Sequence, residues 1–337
     1  MNTNDFDYDL PPELIARYPT AQRDGSRLLV LNKETSQIED HSFPNLIDFL
    51  KPGDLLIFND SKVMSARLYG KKETGGAVEL LIERIESKEF ILAHIRSNKS
   101  PKVGSKIYIE TLCLEVCYKS DTLYQLKLLE GDIWKVMQKF GHVPLPPYIN
   151  RNDEKLDLDR YQTVYCQDYG SVAAPTAGLH FTKEMIYKIE QKGISTAYLT
   201  LHVGSGTFQP VKVDDVTQHK MHEEYIEVSE NVCQLIHQTK KQGGRVVAVG
   251  TTTVRSLETS GLSGVATPFF GPTNIFLYPG KKFNIVDAIV TNFHLPKSTL
   301  IMLISAFSSK SLILNAYQHA IDNHYRFYSY GDSMLIV

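Results

Sequence analysis

Thr182–Val203, TKEMIYKIEQKGISTAYLTLHV, reads as a helix over 182–191 followed, after Gly193, by a strand over 195–203. The alternation continues downstream, with Glu230–Lys241 helical, Arg245–Val249 a strand and Thr253–Thr259 helical. Strands separated by helices favour a largely parallel sheet, because parallel neighbours need the crossover that a helix supplies. Upstream, Ser26–Leu31 and Asp54–Phe58 are short apolar runs that read as further strands. Ser298–Phe307 and Leu312–Asn323 read as closing helices, with Thr299 and Ser311 near their starts.

Between about Ala66 and Pro147 the texture changes to alternating segments: Val78–Glu83, Phe90–Ile95, Lys106–Ile109, Leu114–Tyr118 and Tyr124–Leu129. Gly75 with Gly76, the stretch 101–104 and the stretch 130–132 supply turns, and Pro144, Pro146 and Pro147 mark the exit. The expected architecture is therefore a large α/β domain with a largely parallel sheet over 1–66 and 151–337, interrupted by a smaller inserted β-barrel domain over 67–150. A chain of 337 residues has room for both, since single cores rarely grow beyond roughly 250–300 residues.

A formal net charge of −2 argues against a generally basic nucleic-acid binder, while leaving room for a local phosphate-gripping patch. The basic groups Lys71 with Lys72, Lys240 with Lys241 and Arg245, and Lys281 with Lys282 read singly as solvated surface. No apolar run approaches the ~20 residues that span a bilayer, and the first residues lack the basic and apolar regions of a secretory signal. A cytoplasmic protein with no membrane partner is expected. Cys113, Cys117, Cys166 and Cys233 are too few and too irregular for a disulfide framework. Cys113 and Cys117 share a strand face about 13 Å apart, too far for one metal ion, and read as structural thiols.

Two stretches mix histidine, hydroxyls and glycines in a way that suits site-forming loops rather than interior helix or strand: 175–182, with Thr176, Gly178 and His180, and 201–211, with His202, Gly204, Gly206 and Thr207. Gly250, Thr251, Thr252, Thr253 and Arg255 follow an apolar strand, so they form either an anion or ribose site at a helix start or a helix capped by Thr253. Asn292, His294 and Lys297 follow the strand 285–290, again where a strand gives way to a helix; a capping loop is the alternative. Asn59 and Asp60 end the strand 54–58, and Arg67 lies near the domain junction. Gly204-Ser205-Gly206 is no dinucleotide fingerprint, since Thr207-Phe208-Gln209-Pro210 replaces its third glycine and helix entry. His219 and His222, three apart beside Glu223 and Glu224, lack a clear third ligand in a paired metal motif.

Several ordered motifs together resemble the S-adenosylmethionine:tRNA ribosyltransferase-isomerase family of queuosine biosynthesis. They run from Phe6–Pro11, Ile15-Ala16, Asp24–Leu28 and Asn59–Val63 through Tyr161–Tyr165, Ala173–Thr182 and His202–Val211 to Tyr330-Gly331-Asp332, nearly the whole chain. Ser205, Thr253 and Cys166 depart from the residues expected there, and none removes a plausible catalytic group. The resemblance implies an enzyme with no cofactor beyond S-adenosylmethionine as ribosyl-donor substrate, and no metal. It implies transfer of the ribosyl part of S-adenosylmethionine onto 7-aminomethyl-7-deazaguanine at the tRNA wobble position, with loss of adenine and methionine, to give epoxyqueuosine-tRNA. It further implies a base that removes the ribose C5 proton beside the sulfonium, for which His180 and His202 are the candidates. Asn59, Asp60, Arg67, Thr176, Gly178, Gly204, Gly206, Thr207, Thr251, Thr252, Arg255, Asn292, His294 and Lys297 are the candidates for holding substrate. A monomer is expected, and a noncatalytic tRNA-binding relative is the alternative.

Overall fold

Strand Leu55–Asn59 is apolar on both faces until its last residue, the composition of a strand covered by helices on two sides. It pairs in parallel with Ser195–His202 on one side and with Val246–Val249 on the other, and Ala288–Asn292 extends the parallel series. Outside this centre the directions alternate. Glu224–Val228 and Phe269–Thr273 add antiparallel beyond Ser195–His202. Beyond Ala288–Asn292 come Ser333–Ile336, antiparallel, then Arg27–Leu31, parallel to Ser333–Ile336, and Ile38–Ser42, antiparallel at the edge. The nine-stranded sheet is thus mixed, parallel at its centre, rather than largely parallel throughout. The computed structural model describes residues 1–120, 122–208 and 211–337, so Gln209 and Pro210 of the motif after His202 lie outside it.

Alternation along the central strands divides two cores. Leu55, Ile57, Val246 and Ala248 pack with Val232 and Ile236 of helix Glu230–Lys241 and with the helices Thr299–Phe307 and Lys310–Asp322. Leu56, Phe58, Val247 and Val249 face Met185, Ile186 and Ile189 of helix Lys183–Gln191. That helix starts where the sequence places it, because the Thr182 hydroxyl accepts the Met185 N–H at its first turn. Among the described residues no single helix is long and apolar enough to cross a membrane; Thr299–Phe307 and Lys310–Asp322 together are apolar enough but meet at a bend of 115°.

The alternating region closes into a six-stranded antiparallel barrel built from Arg67–Lys72, Ala77–Ile85, Phe90–Arg96, Lys106–Ile109, Leu112–Lys119 and Tyr124–Leu128. Leu68, Leu80, Ile82, Ile107, Leu114 and Leu126 fill it, and Ile133, Val136 and Met137 of helix Ile133–Phe140 pack against them. The chain enters and leaves side by side: Arg67 and His142 exchange both backbone hydrogen bonds, at 3.2 and 2.8 Å. All four cysteines are free thiols.

Candidate active site

The parallel strands all point their carboxyl ends the same way, and the polar residues that follow them meet there, the usual crevice of an open α/β sheet. One cleft is lined by Thr176, Val203, Thr207, Gly250, Thr251, Thr252, Asn292 and His294, together with Tyr148, Tyr161 and Tyr328. Gly250, at φ 93°, is the N-cap of helix Thr251–Ser260 and offers no side-chain cap. Thr253 turns its hydroxyl back to the Val249 carbonyl at 2.7 Å instead of capping. The first amides of this helix therefore face the cleft wall with the positive end of its dipole.

His180 does not line this cleft. It is 4% exposed, and both ring nitrogens are engaged, Nδ1 with the Ser26 hydroxyl at 2.8 Å and Nε2 with the Asn292 amide at 3.1 Å. Asn292 in turn accepts from the Thr176 hydroxyl at 2.9 Å, which fixes its amide as the donor to Nε2 and leaves Nδ1–H to donate to Ser26. Burial lowers the His180 pKa to about 3, so the ring stays neutral. His294 is held similarly, with Nε2 against the Thr291 hydroxyl at 2.8 Å and its pKa lowered by burial to about 3, but it does line the cleft.

His202 has another setting. It lines a second cleft, between the α/β domain and the barrel, together with Glu83 and Trp134 of the barrel and with Tyr169, Gly170 and Tyr225. Its Nδ1 is buried without a hydrogen-bond partner, and burial lowers its pKa. Gly170 makes the approach possible: at φ 153°, a Cβ there would come within 2.8 Å of the ring.

A third cleft joins these two. It contains Glu83, Gly204, Gly206, Thr207, His222 and Arg255, so the segment 203–207 is the common wall of all three. Glu224 anchors that wall by accepting from the Gly204 N–H at 3.2 Å and the Thr207 hydroxyl at 2.9 Å, while its other oxygen pairs with Arg255. Both partners of this ion pair are buried, yet Nε and Nη2 of Arg255 have no partner. Buried guanidinium nitrogens left unsatisfied are rare and suit a ligand carboxylate or phosphate. Among the described residues no group of three His, Cys, Asp or Glu side chains could hold a metal ion.

Several candidates lie elsewhere. Asn59 is fully buried, and its amide ties Leu201, Ser61 and Thr252 together, so it positions Thr252 from behind. Asp60 accepts from Thr200 at 2.7 Å, and burial pushes its pKa up to about 6. Arg67 pairs with Glu79 at 3.1 Å on a separate barrel groove. Lys297 pairs with Asp7 at 2.9 Å near the surface. The glycines at 178, 204 and 206 make room for protein side chains: a Cβ would strike the Tyr165 hydroxyl at 2.0 Å, Glu83 at 2.5 Å and the His222 ring at 2.5 Å, respectively. Sequence reasoning missed Glu83, Trp134 and Tyr148, which no local pattern ties to the strand ends, and it read Glu224 as a neighbour of a metal pair rather than the partner of Arg255.

Fold and clefts define an α/β enzyme with a polar ligand crevice at its strand ends and a barrel closing one side. A family profile described as "Queuosine biosynthesis protein" matches residues 3–336. The S-adenosylmethionine:tRNA ribosyltransferase-isomerase of Francisella tularensis subsp. novicida is 61% identical over the full length of both chains, and that of Francisella philomiragia is 60% identical over the same span. The crystal structure of S-adenosylmethionine tRNA ribosyltransferase from Thermotoga maritima is 35% identical, covers 99% of this chain and 100% of its own, and superposes with a TM-score of 0.57. The chain belongs to the S-adenosylmethionine:tRNA ribosyltransferase-isomerase family of queuosine biosynthesis.

Proposed function

We propose that this protein transfers and isomerises the ribosyl group of S-adenosylmethionine onto 7-aminomethyl-7-deazaguanine at the wobble position of tRNA, releasing adenine and methionine, as a cytoplasmic monomer whose inserted unit spans 67–150. The convergence of Thr176, Thr251, Thr252, Asn292 and His294 on one cleft, sharing the wall 203–207 with the junction cleft, supports it most directly. Two adjoining clefts suit two substrates that must exchange a ribosyl group.

S-adenosylmethionine occupies the strand-end cleft. The unpaired edge of Arg255, across the shared wall 203–207 in the third cleft, is the donor for its carboxylate, and the amides of Thr251 and Thr252, the cleft hydroxyls and Asn292 orient its ribose. His202, neutral near pH 7 because burial depresses its pKa, accepts the ribose C5 proton. The carbanion pair forms a C4–C5 double bond as the ring C4–O bond breaks, the freed oxygen pair forms a carbonyl at C1, and adenine leaves C1 with the glycosidic electron pair and takes up a proton. His180 acts as a positioning residue: through Asn292 it holds the Thr176 side of the cleft.

Incubation with S-adenosylmethionine and tRNA carrying 7-aminomethyl-7-deazaguanine, followed by mass spectrometry, tests substrate, reaction and product together. Epoxyqueuosine in the tRNA and stoichiometric free adenine are expected. Tight tRNA binding with no adenine release would instead mark a noncatalytic relative.

A further inference from the structure

We propose that the junction cleft receives the wobble base flipped out of the tRNA anticodon loop, stacked on Trp134 and Tyr169, with Glu83 of the barrel anchoring its aminomethyl group. This assignment rests on the transferase function above and places the second substrate of that reaction.

Three features of the cleft point to a base with a cationic arm. The first is aromatic surface left uncovered. Tyr169 is 52% exposed and Tyr225 is 47% exposed, and both line the cleft with Trp134. Trp134 lies in the first turn of its helix, where the Asp132 carboxylate accepts the Trp134 backbone N–H at 2.9 Å, and its indole meets the Tyr169 ring edge-on at 5.7 Å. Proteins that read single-stranded RNA take unstacked bases onto aromatic side chains in this way. The second is cationic charge: the Lys62 ammonium stands 4.4 Å over the Tyr169 ring, and the exposed Arg84 lines the cleft. Cations there suit the phosphates that flank an extruded nucleotide.

The third is negative charge inside. Glu224 is already neutralised by Arg255, which leaves Glu83, with the His94 imidazole 3.7 Å from its Oε2, and the exposed Glu223 as the carboxylates of the cleft. Glu83 reaches across from barrel strand Ala77–Ile85 to accept the Ser205 N–H at 3.1 Å through Oε2. Its Oε1 lies over Gly204, where a Cβ would come within 2.5 Å. A carboxylate in an aromatic cleft repels a phosphate and favours an alkylammonium, the form of the aminomethyl group near neutral pH. The inserted unit thereby supplies Trp134 and the charge that distinguishes this base from guanine, and the α/β domain supplies Tyr169.

Trp134 is the sole tryptophan of the chain, so its emission reports on the cleft alone. The test titrates the full-length protein with tRNA carrying 7-aminomethyl-7-deazaguanine, or 7-methyl-7-deazaguanine lacking the amine, following Trp134 emission and filter-bound tRNA in parallel. Saturable change in emission is expected, with the aminomethyl tRNA preferred by about tenfold or more, the worth of a hydrogen bond to a charged group. Glu83→Gln, which is isosteric, erases that preference while leaving the methyl tRNA bound as before. Trp134→Ala weakens the aminomethyl tRNA by about 5- to 100-fold, the range for one base-stacking contact, and Trp134→Phe restores most of it. Bound tRNA with unchanged Trp134 emission, or full amine preference in Glu83→Gln, overturns the proposal. Adenine release is measured separately. Release without any emission change means that the reaction holds and the base sits elsewhere, whereas amine-selective emission changes without release keep the base site and discard the reaction.

Discussion

His180 and His202 both stand near the carboxyl ends of the central strands, yet their surroundings use the imidazole differently. Around His180 every polar atom of the ring is matched, in a chain from Ser26 through the ring to Asn292 and Thr176. Around His202 the protein leaves Nδ1 unmatched in a cleft open to the barrel, and nearby leaves Nε and Nη2 of Arg255 unmatched as well. Full pairing fixes a geometry, while unmatched polar edges are free to bind and exchange protons. The comparison teaches that a histidine-rich motif marks a site without telling which histidine acts in it.

The harshest way to break the junction side is to remove the charge beneath it. Glu224→Gln leaves Arg255 buried without its counter-ion, and a loss of about 3–5 kcal/mol in urea unfolding is expected. A loss below about 1 kcal/mol would mean that the ion pair does not hold the wall 203–207. Next, His202→Ala lowers the single-turnover rate of adenine release by about 100-fold or more, as expected for loss of a general base, with little change in melting temperature because the side chain is only half-buried. His180→Asn has a smaller effect on turnover, and an equal or larger one reverses the two roles.

Acid sharpens the contrast on the other side. His180 and His294 have pKa values near 3 when folded and about 6.5 when unfolded. Below pH 6.5 the unfolded chain therefore binds protons that the folded protein refuses, and stability falls as pH drops from 6.5 towards 3, by about 1.4 kcal/mol per pH unit for each ring. Asp60 acts in the opposite sense between its unfolded value of 3.8 and about 6, offsetting part of the slope. Urea midpoints measured from pH 7 to 4 should decline, and His180→Asn should make the decline shallower by about one ring's share. An unchanged slope would show that His180 is not kept neutral. The smallest effect belongs to Lys297→Ala: an exposed pair with Asp7 is worth less than about 1 kcal/mol, and turnover should stay within about twofold of the parent.

The alternating hydrophobics of Ala77–Ile85 and its neighbours announced the barrel, and the apolar Val246–Val249 run followed by hydroxyls announced the cleft. The parallel centre of the sheet was legible for the same reason, since local periodicity encodes burial on one or two faces. Helix Ile133–Phe140 was hidden between a turn and a proline cluster. Strand Ser333–Ile336 pairs with Arg27–Leu31, nearly the full chain away, and nothing in either segment records that pairing. His180 was legible as a site residue but not as a buried one. Arg255 and Glu224 lie 31 positions apart, and only the folded chain shows that one charge answers the other.

The barrel is made from one uninterrupted stretch, whereas Leu55–Asn59, just before it, waits for neighbours at 195–202 and 246–249. On the ribosome the barrel is therefore complete while a strand apolar but for its last residue, already emerged, still has both edges bare. That interval is when the nascent chain is stickiest, and chaperone dependence of its synthesis should concentrate on the five residues that later become a fully covered central strand.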